Sequence, residues 1–280
     1  MIQKLLYLGP SGSYSELAKE KFAKYVSSDC EYIKKNSLFA IMETLLCIND
    51  FNTGAVVPIE NSIEGGVNET QDDLLILARQ GYRIFAEANL DIKHSLISYG
   101  QKSQIKIITS HPQALAQCRK YICENLNNDV ELKPVLSTSL AIKSLNSDDL
   151  TKAAIGSEYC AELYKVPIIE KEISEDINNK TRFILISKGS PEMSYRNKVS
   201  IIFSTENKSG ALNQVLNILS KYELNMSHIN SRPSKKELGE YLFYIDFAGH
   251  ISESNVACAL DEIRKNVDLF EILSEGAICI

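Results

Sequence analysis

The 280 residues carry 30 Lys and Arg against 36 Asp and Glu, a formal charge of −6, and 44% of them are hydrophobic. That composition excludes a long disordered chain, and the length suits one large domain or two of about 150 residues. No apolar run approaches the ~20 residues of a membrane-spanning helix, and neither a basic block nor a Trp marks a nucleic-acid surface.

The first apolar stretch, residues 5–8, breaks at Gly9-Pro10 and reads as a strand rather than a signal peptide, so a soluble cytoplasmic protein is expected. A helix over 13–25 follows, opened by a Ser13-x-x-Glu16 capping box. Next come a strand near Tyr32 and Ile33, a helix over 38–48, the apolar strand 54–59 and a helix around 72–79. A β-rich stretch over 83–99 leads to a strand over 105–109 and a helix over 112–126. The pattern repeats with a strand near Val130, a helix from Ser139, a strand over 153–155 and a helix over 158–164. Alternation of this kind predicts α/β units around mainly parallel sheets.

Residues 188–197 hold Gly, Pro and polar side chains without apolar periodicity and read as a linker. Beyond them the predicted order is a strand over 199–203, a helix over 211–222, strands over 225–231 and 241–247, a helix over 256–264 and a strand over 269–273. The order βαββαβ is that of a ferredoxin-like sandwich. Two domains are expected, 1–188 and 198–280.

The seven cysteines are odd in number and form no Cys-x-x-Cys pair, so they read as small buried hydrophobes in a reducing compartment. The four histidines, His94, His111, His228 and His250, lack metal-ligand spacing. No metal and no cofactor is expected.

Chemistry is sought where strands run into helices, because helix-starting amides attract anions. Four junctions carry polar groups: Gly9-Pro-Ser-Gly-Ser-Tyr-Ser15, Glu60-Asn-Ser-Ile-Glu-Gly-Gly-Val67, Ser110-His-Pro-Gln113 and Ser137-Thr-Ser139. Each alone could be a plain helix cap, with Ser110 as N-cap and Gln113 closing the box. Four in one α/β unit point to a ligand at the carboxyl ends of strands. None is a Walker or Rossmann fingerprint, so no nucleotide is indicated. A fifth stretch, Asn179-Lys-Thr-Arg-Phe183, sets a hydroxyl, a guanidinium and an aromatic side by side, which suits an organic acid as well as it suits an exposed turn.

These stretches closely resemble the prephenate dehydratase family. Residues 9–15 are similar to its Gly-Pro-x-Gly-Thr-Tyr-Ser. Val57-Pro-Ile-Glu-Asn-Ser62, continuing through Glu64-Gly65, Val67, Thr70 and Asp73-Leu74, resembles its longest motif. Ser110-His-Pro-Gln-Ala-Leu-Ala-Gln-Cys118, Ala154-Ile-Gly-Ser157 and Asn179-x-Thr-Arg-Phe183 follow in the family's order. The C-terminal unit resembles the family's phenylalanine-binding ACT domain, with Gly210-Ala-Leu212 and Ser231-Arg-Pro233 in place. Three positions depart from the pattern: Ser13 for Thr, Ser139 for Ala, and Asn230 where a Glu is usual.

The resemblance implies a catalytic domain like type II periplasmic binding proteins, with lobe one at about 1–78 plus 171–188 and lobe two at about 79–170. The implied activity is decarboxylating dehydration of prephenate to phenylpyruvate, a carbon–oxygen lyase of phenylalanine biosynthesis. Thr181 would serve the leaving hydroxyl, Arg182 would clamp the pyruvyl carboxylate and Phe183 would pack beside the ring or support the loop. Ser11, Ser13, Asn61, Ser62, Gln113, Ser137 and Thr138 would contact carboxylates or hydroxyls. His111, the tempting general acid, is read instead as shaping the turn before Pro112. L-Phenylalanine would bind the C-terminal unit around Asn207, Gly210, Ala211, Leu212, Asn230, Ser231, Arg232 and Pro233 and inhibit by feedback, in a homodimer or homotetramer. Arogenate dehydratase and a non-catalytic amino-acid sensor are the rival readings.

Overall fold

The computed structural model describes residues 1–127, 129–188, 198–235, 237 and 239–280. Apart from Lys188, the expected linker lies outside the described residues. In chain order, β1 (Ile2–Leu8), α1 (Tyr14–Lys21), β2 (Val26–Lys35), α2 (Leu38–Ile48), β3 (Thr53–Asn61), β4 (Gly65–Gly66), α3 (Asn68–Arg79) and β5 (Arg83–Asp91) come first. A second group follows: β6 (Ser95–Ile97), β7 (Ile107–Ser110), α4 (Pro112–Gln117), α5 (Arg119–Asn125), β8 (Glu131–Pro134), α6 (Thr138–Lys143), β9 (Lys152–Gly156), α7 (Glu158–Tyr164) and β10 (Ile168–Glu170). The chain then returns through β11 (Lys180–Ser187). It ends in β12 (Lys198–Ser204), α8 (Ala211–Lys221), β13 (Met226–Pro233), β14 (Tyr241–Ala248), α9 (Ser254–Lys265) and β15 (Leu269–Cys279).

Lobe one is the sheet β2-β1-β3-β11-β5, in which β11 runs antiparallel to both β3 and β5. Lobe two is the sheet β10-β6-β9-β7-β8, with β7 parallel to β8 and β9 and the rest antiparallel. The sheets are therefore mixed rather than mainly parallel. The lobe boundary also moves: β5 was expected in lobe two, but its ladder with β11 fixes it in lobe one. The second lobe begins only at β6.

The helices start where their caps dictate. Ser37 accepts from the Ala40 amide at 3.1 Å to open α2, and left-handed Asn49 closes it. Its apolar residues Leu38, Ile41, Met42 and Leu45 recur at helical spacing and are all buried. The helix expected over 112–126 breaks at Cys118 into α4 and α5. Of the cysteines, all free, only Cys118 and Cys160 are buried, and Cys47, Cys123, Cys258 and Cys279 are exposed, which corrects the reading of all seven as core hydrophobes.

The C-terminal strands pair in the order β13-β14-β12-β15, antiparallel throughout, as βαββαβ requires. One face of this sheet packs on α8 and α9 through Val199, Ile201, Phe203, Ile245 and Phe247. The other face is covered by lobe one, where Ile202, Leu242, Tyr244 and Leu273 share a core with Leu74 and Leu77 of α3. β15 runs past its expected end at Leu273 and adds to β5 in parallel, so the two domains share one ten-stranded sheet. Among the described residues no helix is long and apolar enough to cross a membrane.

Candidate active site

Three helices begin at one cleft of about 230 Å³ between the lobes. Ser13 and Tyr14 open α1, His111 and Gln113 open α4, and Ser137 and Thr138 open α6. Asn61, from the end of β3, and Thr181, from the start of β11, add to the polar lining, as do His94 and Gln117. Ser13 and Ser137 spend their hydroxyls on caps, accepting from Glu16 and Leu140 amides at 3.2 and 3.1 Å. The first amides of each helix lack intrahelical partners and carry its positive dipole end. Ile92, Ala114 and Leu136 supply apolar surface.

At the junction before α4 the expected cap was Ser110, but its hydroxyl is buried and donates to the Ile155 carbonyl at 2.6 Å. His111 is the cap: its Nδ1 accepts from the Gln113 amide at 3.3 Å. His111 thus shapes the turn while lining the cleft.

The cleft's floor is a chain of amides. Asn61 Nδ2 donates to Thr181 Oγ1 at 2.9 Å and to Asn179 Oδ1 at 2.8 Å, and its Oδ1 accepts from the Ile63 and Glu64 amides, both at 3.0 Å. Asn179 Nδ2 donates to Gln117 Oε1 at 3.1 Å, and His94 Nε2 meets the same oxygen at 3.1 Å. Gln117 Nε2 and His94 Nδ1 remain buried without a partner among the described residues. Gln117 and His94 were not among the expected site residues, and Asn179 was expected only as the first residue of the fifth stretch, without a role of its own. The available signal was the four-residue spacing of Gln113 and Gln117, which puts both on one helix face. Asn179→Ala should remove one anchor of Asn61, worth about 1 kcal/mol or about fivefold in turnover; steady-state kinetics with unchanged KM would confirm the positioning role.

Burial holds the His94 imidazole below its ordinary value, with the Gln117 contact opposing the shift. Its contribution to stability is therefore full above about pH 6.5 and is lost as pH falls, because the unfolded chain takes up the proton more readily. Urea midpoints followed across that range should fall less steeply in His94→Gln than in the parent protein.

Four expected site residues lie elsewhere. Arg182 does not line the cleft: side chains alternate along β11, so with Thr181 facing the cleft Arg182 faces the other way. There its Nη1 meets Asp246 Oδ2 at 2.7 Å and Glu87 Oε2 at 3.3 Å, and its Nη2 meets Glu60 Oε2 at 3.1 Å. Phe183 is 2% exposed within the lobe-one core and cannot touch a ligand ring. Ser62 ties the ends of β3 and β11, its Oγ donating to the Asn178 carbonyl at 3.2 Å and accepting from the Lys180 amide at 2.9 Å. Ser11 offers its carbonyl to lobe two, accepting from Ser139 Oγ and from Tyr164 Oη. The hydroxyl that replaces Ala at 139 thus joins the lobes. Gly12 is equally close, since at φ +82° a Cβ would lie 2.7 Å from Cys160 Sγ.

No Lys or Arg is found among the described residues that line the cleft.

The two effector stretches lie at one end of the C-terminal sheet, where Ser204 and Arg232 both pair with Leu242. Left-handed Gly210, at φ +83°, opens α8 with Ala211 buried behind it, Leu212 packs on the same core, and Asn207 is exposed. Asn230 Nδ2 donates to Gln71 Oε1 at 2.8 Å while its Oδ1 accepts from the Ser231 amide at 2.8 Å. Arg232 forks onto Asp72 at 3.1–3.2 Å, and Pro233 ends β13. This edge of the C-terminal sheet is therefore bonded to α3 of lobe one.

A family model described as prephenate dehydratase matches residues 5–191, and one described as ACT domain matches residues 199–264. The prephenate dehydratase of Methanocaldococcus jannaschii is 43% identical over 273 residues, covering 96% of this chain and 94% of that protein. The solved prephenate dehydratase of Arthrobacter aurescens, in complex with L-Phe, superposes with a TM-score of 0.82 at 30% identity, covering 98% of this chain and 89% of its own. That of Staphylococcus aureus gives 0.81 at 28% identity, covering 98% and 99%.

Proposed function

The chain belongs to the prephenate dehydratase family, with an ACT domain after its two catalytic lobes, and from that premise we propose how its cleft converts prephenate to phenylpyruvate. The observation that carries the proposal is the 2.9 Å bond from Asn61 to Thr181 Oγ1 at the cleft floor. With one oxygen lone pair occupied by an amide N–H, the hydroxyl hydrogen is left free to turn toward the cleft. The same bond stabilises charge on Oγ1 and so eases proton donation.

In the reaction the ring carboxylate departs as carbon dioxide, its bonding electrons enter the ring, and the carbon–oxygen bond to the ring hydroxyl breaks toward oxygen. That oxygen leaves as water once it has received a proton. Thr181 donates a hydrogen bond or relays a proton to it. The carboxylate loses its charge in the step, so a cation held against it would stabilise the ground state and slow its loss. A lining without Lys or Arg fits this demand. Helix-starting amides of α1, α4 and α6, with the side chains of Gln113, Thr138 and Gln117, bind the dianion against the chain's net charge of −6.

Phenylalanine is proposed to bind the ACT domain around Asn207–Leu212 and Asn230–Pro233, supported by the L-Phe complex of the Arthrobacter relative. β13 ends the ten-stranded sheet, with Met226 and Ile229 exposed, and offers an edge for a homodimer. The free thiols suit a cytoplasmic setting.

Phenylpyruvate formation from prephenate, followed with and without phenylalanine and with arogenate as competitor, tests this reading. Prephenate turnover suppressed by phenylalanine is expected; binding of phenylalanine without turnover would leave only a sensor.

A further inference from the structure

The geometry points to Arg182 as a positioning residue, the centre of a buried ion cluster through which the ACT sheet holds and can shift the Thr181–Asn61 pair. This rests on the reading of Thr181 as the donor and of phenylalanine as the ACT effector. In the β3–β11 ladder Thr181 is the register partner of Asn61 and Arg182 that of Glu60. The ion pair Arg182–Glu60 therefore lies on the back of the two strands that present Thr181 and Asn61 to the cleft. Three ACT strands grip that back. Asp246 of β14 meets Arg182 at 2.7 Å, Lys198 of β12 bonds Glu87 and lies 3.3 Å from Asp246, and His228 Nε2 of β13 lies 3.5 Å from Glu60.

The path back to the effector stretch is short. His228 pairs with Asp246 across β13 and β14, and Asn230 to Pro233 continue the same strand. A ligand that displaces this end of β13 moves His228 and Asp246, and with them both partners behind the catalytic pair. Arg182 and Asp246 are largely buried, with side chains 13% and 9% exposed, so their contacts are little screened by water or salt. Coupling of this kind needs two arrangements of the cluster with different affinity for the effector.

The cluster sets three carboxylates, Glu60, Glu87 and Asp246, against two permanent cations, Arg182 and Lys198. Asp246→Asn leaves two of each, so the variant keeps a balanced cluster while exchanging the charged ACT contact to Arg182 for a weaker neutral one. The test compares full-length parent and Asp246→Asn proteins by prephenate turnover across phenylalanine concentrations and by calorimetric phenylalanine binding. Retained binding with half-inhibition moved upward by about tenfold or more is expected, the usual scale of a coupling energy. Unchanged binding together with an unchanged inhibition curve overturns the relay. A parent protein that neither turns over prephenate nor binds phenylalanine overturns it too, by removing the reading beneath it, and this shows without any variant. His228→Gln, at a half-buried position, gives a second handle should Asp246→Asn not fold. A smaller upward shift in half-inhibition is expected there, and a curve identical to the parent's counts against the relay.

Discussion

Thr181→Val is expected to lower kcat by about 10²–10³-fold while KM for prephenate stays within a few-fold, the scale seen when one preorganised donor to a developing negative charge is removed. Valine keeps the β-branched shape that suits a strand, so β11 and its ladder with β3 and β5 survive the change. What is lost is the oxygen that Asn61 holds at 2.9 Å and the hydrogen it can offer to the leaving group. Asn61 keeps Asn179 and the Lys180 carbonyl, at 2.8 and 3.2 Å, so its amide is not stranded. The loss is then confined to the transition state, which is why kcat and not KM carries it. Thr181→Ser, which restores the hydroxyl at the same register position, should recover most of the rate. Near-parental turnover in the valine variant would remove Thr181 from the chemistry.

Much of this site is legible in the sequence because it is local. Ser13, Ser137 and Thr138 mark helix starts by their types and positions, and α2 and α7 begin and end where their patterns say. What escapes is set by partners far along the chain. The triplet Thr181-Arg182-Phe183 reads as one functional unit, yet strand alternation turns its members to different surroundings, and only the arrival of Asp246 from a strand some sixty residues on shows what Arg182 pairs with. β5 was given to the wrong lobe for the same reason: nothing in 83–91 says that its partner is 180–187. The roles of Gln117 and Asn179 escaped because they lie in bonding to each other across 62 residues of chain.

Arg182→Met tests the relocation of the guanidinium and should cost about 3–5 kcal/mol of folding stability, the usual loss when one partner of a buried ion pair is removed. Methionine fills comparable space, so a cavity contributes little. The cost is electrostatic: among the described residues Glu60, Glu87 and Asp246 would keep Lys198 alone as a paired permanent cation of the cluster, with Glu87 and Asp246 side chains 5% and 9% exposed. In the parent protein, the His228 contact ahead of Arg182 holds the Glu60 carboxyl below its usual range. Burial would raise Asp246, but Lys198 and Arg182 outweigh it and hold that carboxyl low as well. Groups depressed in this way contribute stability above their unfolded values near pH 4 and lose it as pH falls through the folded ones. The gap in urea midpoint between parent and Arg182→Met should therefore be widest at neutral pH and narrow on acidification, as protonation relieves the stranded carboxylates of the variant and removes the advantage of the parent. A substrate clamp makes the opposite forecast, a steep rise in KM with stability unchanged at every pH, and that result would return the guanidinium to the cleft.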